Sequence, residues 1–118
     1  MSGELSVGVG ALRKRLDEAV VLQATVAQLA KDLDVADLRT PPTGEEAFEA
    51  VRAQVLTALE RMQAGSGSGL SRAVNRVDLT ESQVNDALGR GGLVELAGLM
   101  VLRCLQKVLI REHYAGRA

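Results

Sequence analysis

The sequence predicts an all-α protein, a helical bundle, and three observations carry that prediction. Apolar residues recur at helical spacing over long stretches. The apolar 47% of the 118 residues is drawn from Leu, Val, Ala, Ile and Met, with Phe48 and Tyr114 as the only aromatics. Ala and Leu favour helices, whereas an all-β core draws on aromatic and β-branched residues. The strongest breakers, Pro41-Pro42, Gly65–Gly69 and Gly89–Gly92, fall between the periodic stretches. The length fits a single helical domain over 1–118, enough to bury a core without staples.

Residues 1–9 show no period and are expected to fray. The first helix is expected over about 11–33. Leu12, Leu16, Ala19, Leu22, Val26, Leu29 and Leu33 step by three and four into one stripe. As one uninterrupted helix it is roughly 35 Å long at 1.5 Å per residue, the arm of an elongated hairpin. A connector follows over 34–43, where Pro41-Pro42 forbids helix and Leu38 is free to fold back. The second long helix is expected over about 44–63. Thr43-Gly44-Glu45-Glu46 matches a capping box, and Phe48, Val51, Val55, Leu59 and Met62 form its stripe. These two long helices are expected to form an antiparallel hairpin.

Gly65–Gly69 alternates Gly and Ser. It is expected to be a flexible loop at 65–69, its strict alternation leaving an engineered join as the alternative. Two short helices are expected next, over about 70–77 and 81–88. Thr80-Glu81-Ser82-Gln83 is a second capping-box match, and Gly89 is the expected C-terminal stop.

A long buried C-terminal helix is expected over about 93–112. From Leu93 to Ile110 its only charges are Glu95, Arg103 and Lys107, so no broad polar face remains. Such a helix is buried on most sides or lies in a membrane. Each of the three charges costs about 2.5–3.5 kcal/mol inside a bilayer, so burial without a membrane span is the expectation.

This helix carries the functional reading. Two long and two short helices are expected to leave part of its apolar surface uncovered. That surplus points to a non-enzymatic helical assembly or adaptor protein acting through homo-oligomerisation or protein–protein contact. The expected interface is Leu96, Leu99, Met100, Val101, Leu102, Leu105, Val108 and Leu109. The alternative is that the short helices at 70–88 cover the surplus.

Catalytic constellations are missing from the sequence. Cys104 is the only cysteine and His113 the only histidine, and nine residues apart they are no zinc-ligand spacing. One histidine does not make a nucleophilic triad. The glycine-rich stretches match no phosphate-binding motif. No cofactor and no metal are therefore expected. An enzyme would need a pocket joining Glu95 and Arg103, eight residues apart on one helix face, to carboxylates of the first helix; a structural ion pair is the simpler reading. The lone cysteine and the lack of a signal-peptide pattern suggest a cytoplasmic location. Eleven of the 14 basic residues are Arg, as in a GC-rich bacterial genome.

The net charge of −1 gives no basic footprint. The halves do differ: residues 1–64 hold 7 basic against 10 acidic residues, and 65–118 hold 7 against 5. Residues 70–92 have the cadence of a helix-turn-helix, which makes a DNA-binding regulator the alternative. Its contacts are expected to be Arg72, Arg76, Gln83, Asn85 and Arg90, since Gln and Asn read adenine edges. Glu81 and Asp86 on the same helix repel phosphate, which sets nucleic acid behind a protein partner.

Overall fold

The last helix is the hub on which the others pack. The structure, a computed structural model, describes residues 10–65 and 67–115. The expectation for residues 1–9 lies outside them, as does Ser66 of the Gly/Ser stretch. The main elements of the described residues are α1 (Ala19–Leu33), α2 (Ala47–Ala64), α3 (Ser68–Val77), α4 (Glu81–Gly91) and α5 (Leu93–Ala115), with a short helical stretch at 10–14 before them. No strand occurs among them, so the all-α helical bundle is the observed fold.

α1, α2 and α4 all lie against α5, while α1 and α2 touch each other only sparsely. Gln28 meets Arg111 and Asp32 meets Lys107, so α1 and α5 run antiparallel. The core is aliphatic. Leu22 and Leu29 of α1, Val55 and Leu59 of α2, and Leu96, Met100 and Leu105 of α5 have no exposed surface. Burying each such side chain contributes about 1.5–3 kcal/mol. Gly98 matters to the α2–α5 crossing, because a Cβ there would lie 3.2 Å from Arg52 Cδ and 3.6 Å from Phe48 Cζ. Its missing side chain lets those two lie against the α5 backbone.

Several element boundaries differ from the sequence expectation. The first helix is broken. Residues 10–14 are helical, Arg15–Asp17 form a 3-10 turn, and Glu18 is extended at ψ 119° before α1 starts at Ala19. The break places Leu16 in the core at 1% exposure and sets Arg13 over the Phe48 ring, 4.1 Å from its centroid. Arg15 closes the bend on Glu18 at 2.7 Å and holds that carboxyl below its usual range. The molecule measures 42 × 33 × 29 Å, a compact bundle rather than an extended hairpin.

The Thr43 capping box does not form. Gly44 sits at φ +139°, the Ala47 N–H donates to the Gly44 carbonyl, and α2 starts three residues later than expected, with no side-chain cap. The Thr80 box forms in full: Gln83 N–H donates to Thr80 Oγ1 at 3.0 Å, and Thr80 N–H donates to Gln83 Oε1 at 2.9 Å. Ser68 and Gly69 belong to α3, not to the loop. Gly89 is helical, and the stop moves to Gly92 at φ +72°.

α1 and α3 end alike. Asp34 (φ +57°) and Asp78 (φ +73°) adopt the left-handed conformation that usually falls to glycine. Val35 N–H returns to the Ala30 carbonyl at 3.0 Å, and Leu79 N–H returns to the Val74 carbonyl at 3.2 Å. In both cases the next residue is apolar and packs on the core, the pattern of a Schellman stop.

Candidate functional site

Six of the eight residues expected to meet a partner do not reach the surface. Leu96, Met100, Val101, Leu102, Leu105 and Val108 are at most 9% exposed within one chain, and Leu99 and Leu109 are half-buried against the core. The expected surplus is covered by α1, α2 and α4, which all lie against α5. α4 is three residues longer than expected and lies along α5. Val35 and Leu38 of the connector and Leu79 of the α3–α4 turn also pack against the core. Among the described residues the large apolar side chains exposed to solvent are Val20, Leu88, Val94, Ile110 and Tyr114.

The charges of α5 are also placed differently from the expectation. Arg103 does not pair with Glu95. It donates to Asp78 at 2.9 Å, reaching the residue that closes α3. Glu95 lies over Gly91, where a Cβ would come within 2.8 Å of its Cγ.

Lys107 enters a network centred on Asp32, which is 7% exposed. Lys107 Nζ lies 2.9 Å from Asp32 Oδ2 and also donates to the Arg76 carbonyl at 2.8 Å. Gln28 Nε2 donates to Asp32 Oδ1 at 3.0 Å, Cys104 Sγ lies 3.6 Å from Oδ2, and Arg111 donates to Gln28 Oε1 at 2.7 Å. This ties α1, α3 and α5 together and satisfies the carboxylate, as a buried charge requires. Burial, with Asp32 alongside, pushes the Cys104 thiol from 9.0 up to about 12. Cys104 is thus an inert packing residue.

Two concave features lie near this network. The first is a cleft of about 490 Å³ between the C-terminal end of α1, α2 and α3. Arg61, Arg72 and Arg76 line it together with Asp32, Asp34 and Asp37, and the buried Ala58 and Ala73 belong to the same lining. Arg61 reaches Asp37 at 3.6 Å, and Arg72 donates to Ser68 Oγ at 3.1 Å. The second is a groove of about 370 Å³ between α3 and α4, with Leu70, Val74, Leu79 and Val84 as its apolar lining and Ser71, Asn75 and Glu81 at its edges.

The expected nucleic-acid contacts are not brought together. Arg72 and Arg76 line the cleft with residues of α2, whereas Leu70 and Val74 line a different concavity, the groove shared with Val84 of α4. Gln83 is engaged in the capping box, Arg90 is paired with Asp86 at 2.9 Å, and Asn85 is exposed. Among the described residues no group of three His, Cys, Asp or Glu is placed to hold a metal ion, and no helix is long and apolar enough to cross a membrane. Comparison with known protein families, with curated proteins and with solved structures yields no match.

Proposed function

We propose that this chain is a non-enzymatic helical adaptor that acts through protein–protein contact, with self-association as one form of that contact. The observation that supports this reading is the apolar groove between α3 and α4. Leu70 and Val74, one turn apart on α3, and Val84 of α4 line the groove, and Leu88, one turn beyond Val84, is 40% exposed. Residues at i and i+4 share a helix face, so Leu88 extends the apolar side of α4 that begins in the groove at Val84. A partner helix with i, i+4 apolar anchors fits such a surface. The docking surface therefore moves from the buried stripe of α5 to the two short helices.

The DNA-binding alternative draws less support. The exposed side of α4 carries Glu81 and Asp86, and its one basic residue, Arg90, is already paired. Phosphate contact needs unpaired cations on the docking face.

The test is sedimentation of the wild type and of Leu88→Glu over a wide concentration range, with methyl shifts followed as an amphipathic Leu-rich helical peptide is added. A mass that rises with concentration and falls back in the variant supports the reading, as do saturable shifts at Leu70, Val74 and Val84. A monomer at every concentration, with no shift in those methyls, overturns it.

A further inference from the structure

The cleft between α1, α2 and α3 is lined by cations of α2 and α3 and by anions of α1 and of the segment leaving it. Arg72 and Arg76 stand one turn apart on α3, and Asp34 and Asp37 lie on the segment leaving α1. Among the described residues Arg76 and Asp34 have no charged partner, and Arg61 and Asp37 form only a long, exposed pair that a ligand readily displaces. Hydrogen bonds anchor the backbone at Arg76 and at Asp34. The Arg76 carbonyl is held by Lys107, the same ammonium that neutralises Asp32. Asp34 is fixed in the left-handed conformation by its N–H bonds to the Ala30 and Lys31 carbonyls. Ala58 and Ala73, both buried, and half-buried Met62 are the apolar part of the lining, which also includes the nearly buried Asp32.

From this arrangement we infer that the cleft binds a short peptide with free ends and apolar side chains, its carboxylate on Arg72 and Arg76 and its ammonium on Asp34. Guanidinium forks match carboxylates in geometry and charge. A polyanion is disfavoured by Asp34 and Asp37, and a lone anion leaves Asp34 without a counter-charge. A zwitterion engages both sets of charges, and its apolar side chains meet the apolar part of the lining. The volume of about 490 Å³ lies within the ordinary range of small-ligand sites and exceeds what one amino acid fills. The site is separate from the α3–α4 groove and stands whether or not that groove holds a partner.

The experiment is a titration of the full chain followed by amide shifts and calorimetry. The probes are leucyl-leucine, N-acetyl-leucyl-leucine, leucyl-leucinamide, free leucine and inorganic phosphate. Leucyl-leucine is expected to give saturable shifts at Gly69, Arg72–Arg76 and Asp34–Asp37. Blocking either end removes a charge-assisted contact and is expected to weaken binding about tenfold or more. Arg76→Gln is expected to reproduce the effect of the amide, and Asp34→Asn, which tolerates the left-handed backbone, that of the acetyl group. No saturable shift with leucyl-leucine at millimolar concentration overturns the inference. So does equal binding of the blocked peptides or of phosphate, and equal binding of free leucine overturns the peptide assignment.

Discussion

Lys107 reaches Asp32 across 75 positions of sequence, with Nζ 2.9 Å from Oδ2, and so joins the C-terminal helix to the end of α1. The pair is largely buried, with side-chain exposures of 21% and 9%. Removing one partner leaves an uncompensated buried charge, which typically costs about 3–5 kcal/mol. Lys107→Met is therefore expected to lower unfolding free energy by about 3 kcal/mol in urea. The double variant Lys107→Met with Asp32→Leu is expected to recover much of that loss, because replacing a whole buried pair is often near neutral. Equal losses in the single and double variants would contradict this coupling.

The Cys104 thiol has a high-pH consequence. Its pKa is raised from 9.0 to about 12 by burial and by Asp32. The folded chain keeps this proton while the unfolded chain releases it, so the stability linked to it is fully present below pH 9 and is lost as pH rises toward 12. Wild-type unfolding free energy is expected to fall more steeply over that window than that of Cys104→Ala. At pH 8 the native thiol is expected to resist alkylation, and to react promptly once urea unfolds the chain. Both are read by denaturation curves and mass spectrometry.

Thr80 and Thr43 stand in the same sequence pattern and differ in role. Thr80→Ala removes a formed cap and is expected to cost about 1 kcal/mol. Thr43 caps nothing, since α2 begins at Ala47 behind Glu46, so Thr43→Ala is expected to change stability by less than about 0.5 kcal/mol, as an ordinary surface substitution does. Thermal melts of the two variants side by side check the contrast.

The two left-handed aspartates separate strain from pairing. Asp34→Gly removes the Cβ from a φ of +57° and is expected to stabilise the chain by about 0.5–1 kcal/mol. Asp78→Gly relieves the same strain but forfeits the 2.9 Å contact with Arg103, so it is expected to yield no gain. Chemical denaturation of both variants decides the point.

The helices were legible where their pattern is one-dimensional. α5 shows itself because Leu93–Ile110 leaves no polar face, and α4 because Thr80 and Gln83 cap it locally. Thr43 failed as a signal because Gly44 takes a positive φ and turns the chain before α2 begins. The break at Glu18 was hidden because Leu12, Leu16 and Ala19 keep helical spacing across it. The coverage of α5 is not legible because it depends on how α1, α2 and α4 pack on it, which no local pattern states. The Asp32 network was illegible for the same kind of reason. In sequence Asp32 is one more acid near a helix end, and only the fold brings Lys107, Cys104 and Gln28 to it. The cleft likewise joins residues of α1, α2 and α3 that no local motif connects.

Hydrogen exchange along Leu96–Val108, measured over a wide range of protein concentration, tests most directly whether one chain buries its own C-terminal helix. Burial within a single chain predicts strong protection of these amides that is the same in dilute and concentrated samples. Protection that vanishes on dilution would mean that α5 is covered by another molecule, and would contradict the placement of the docking surface on α3 and α4.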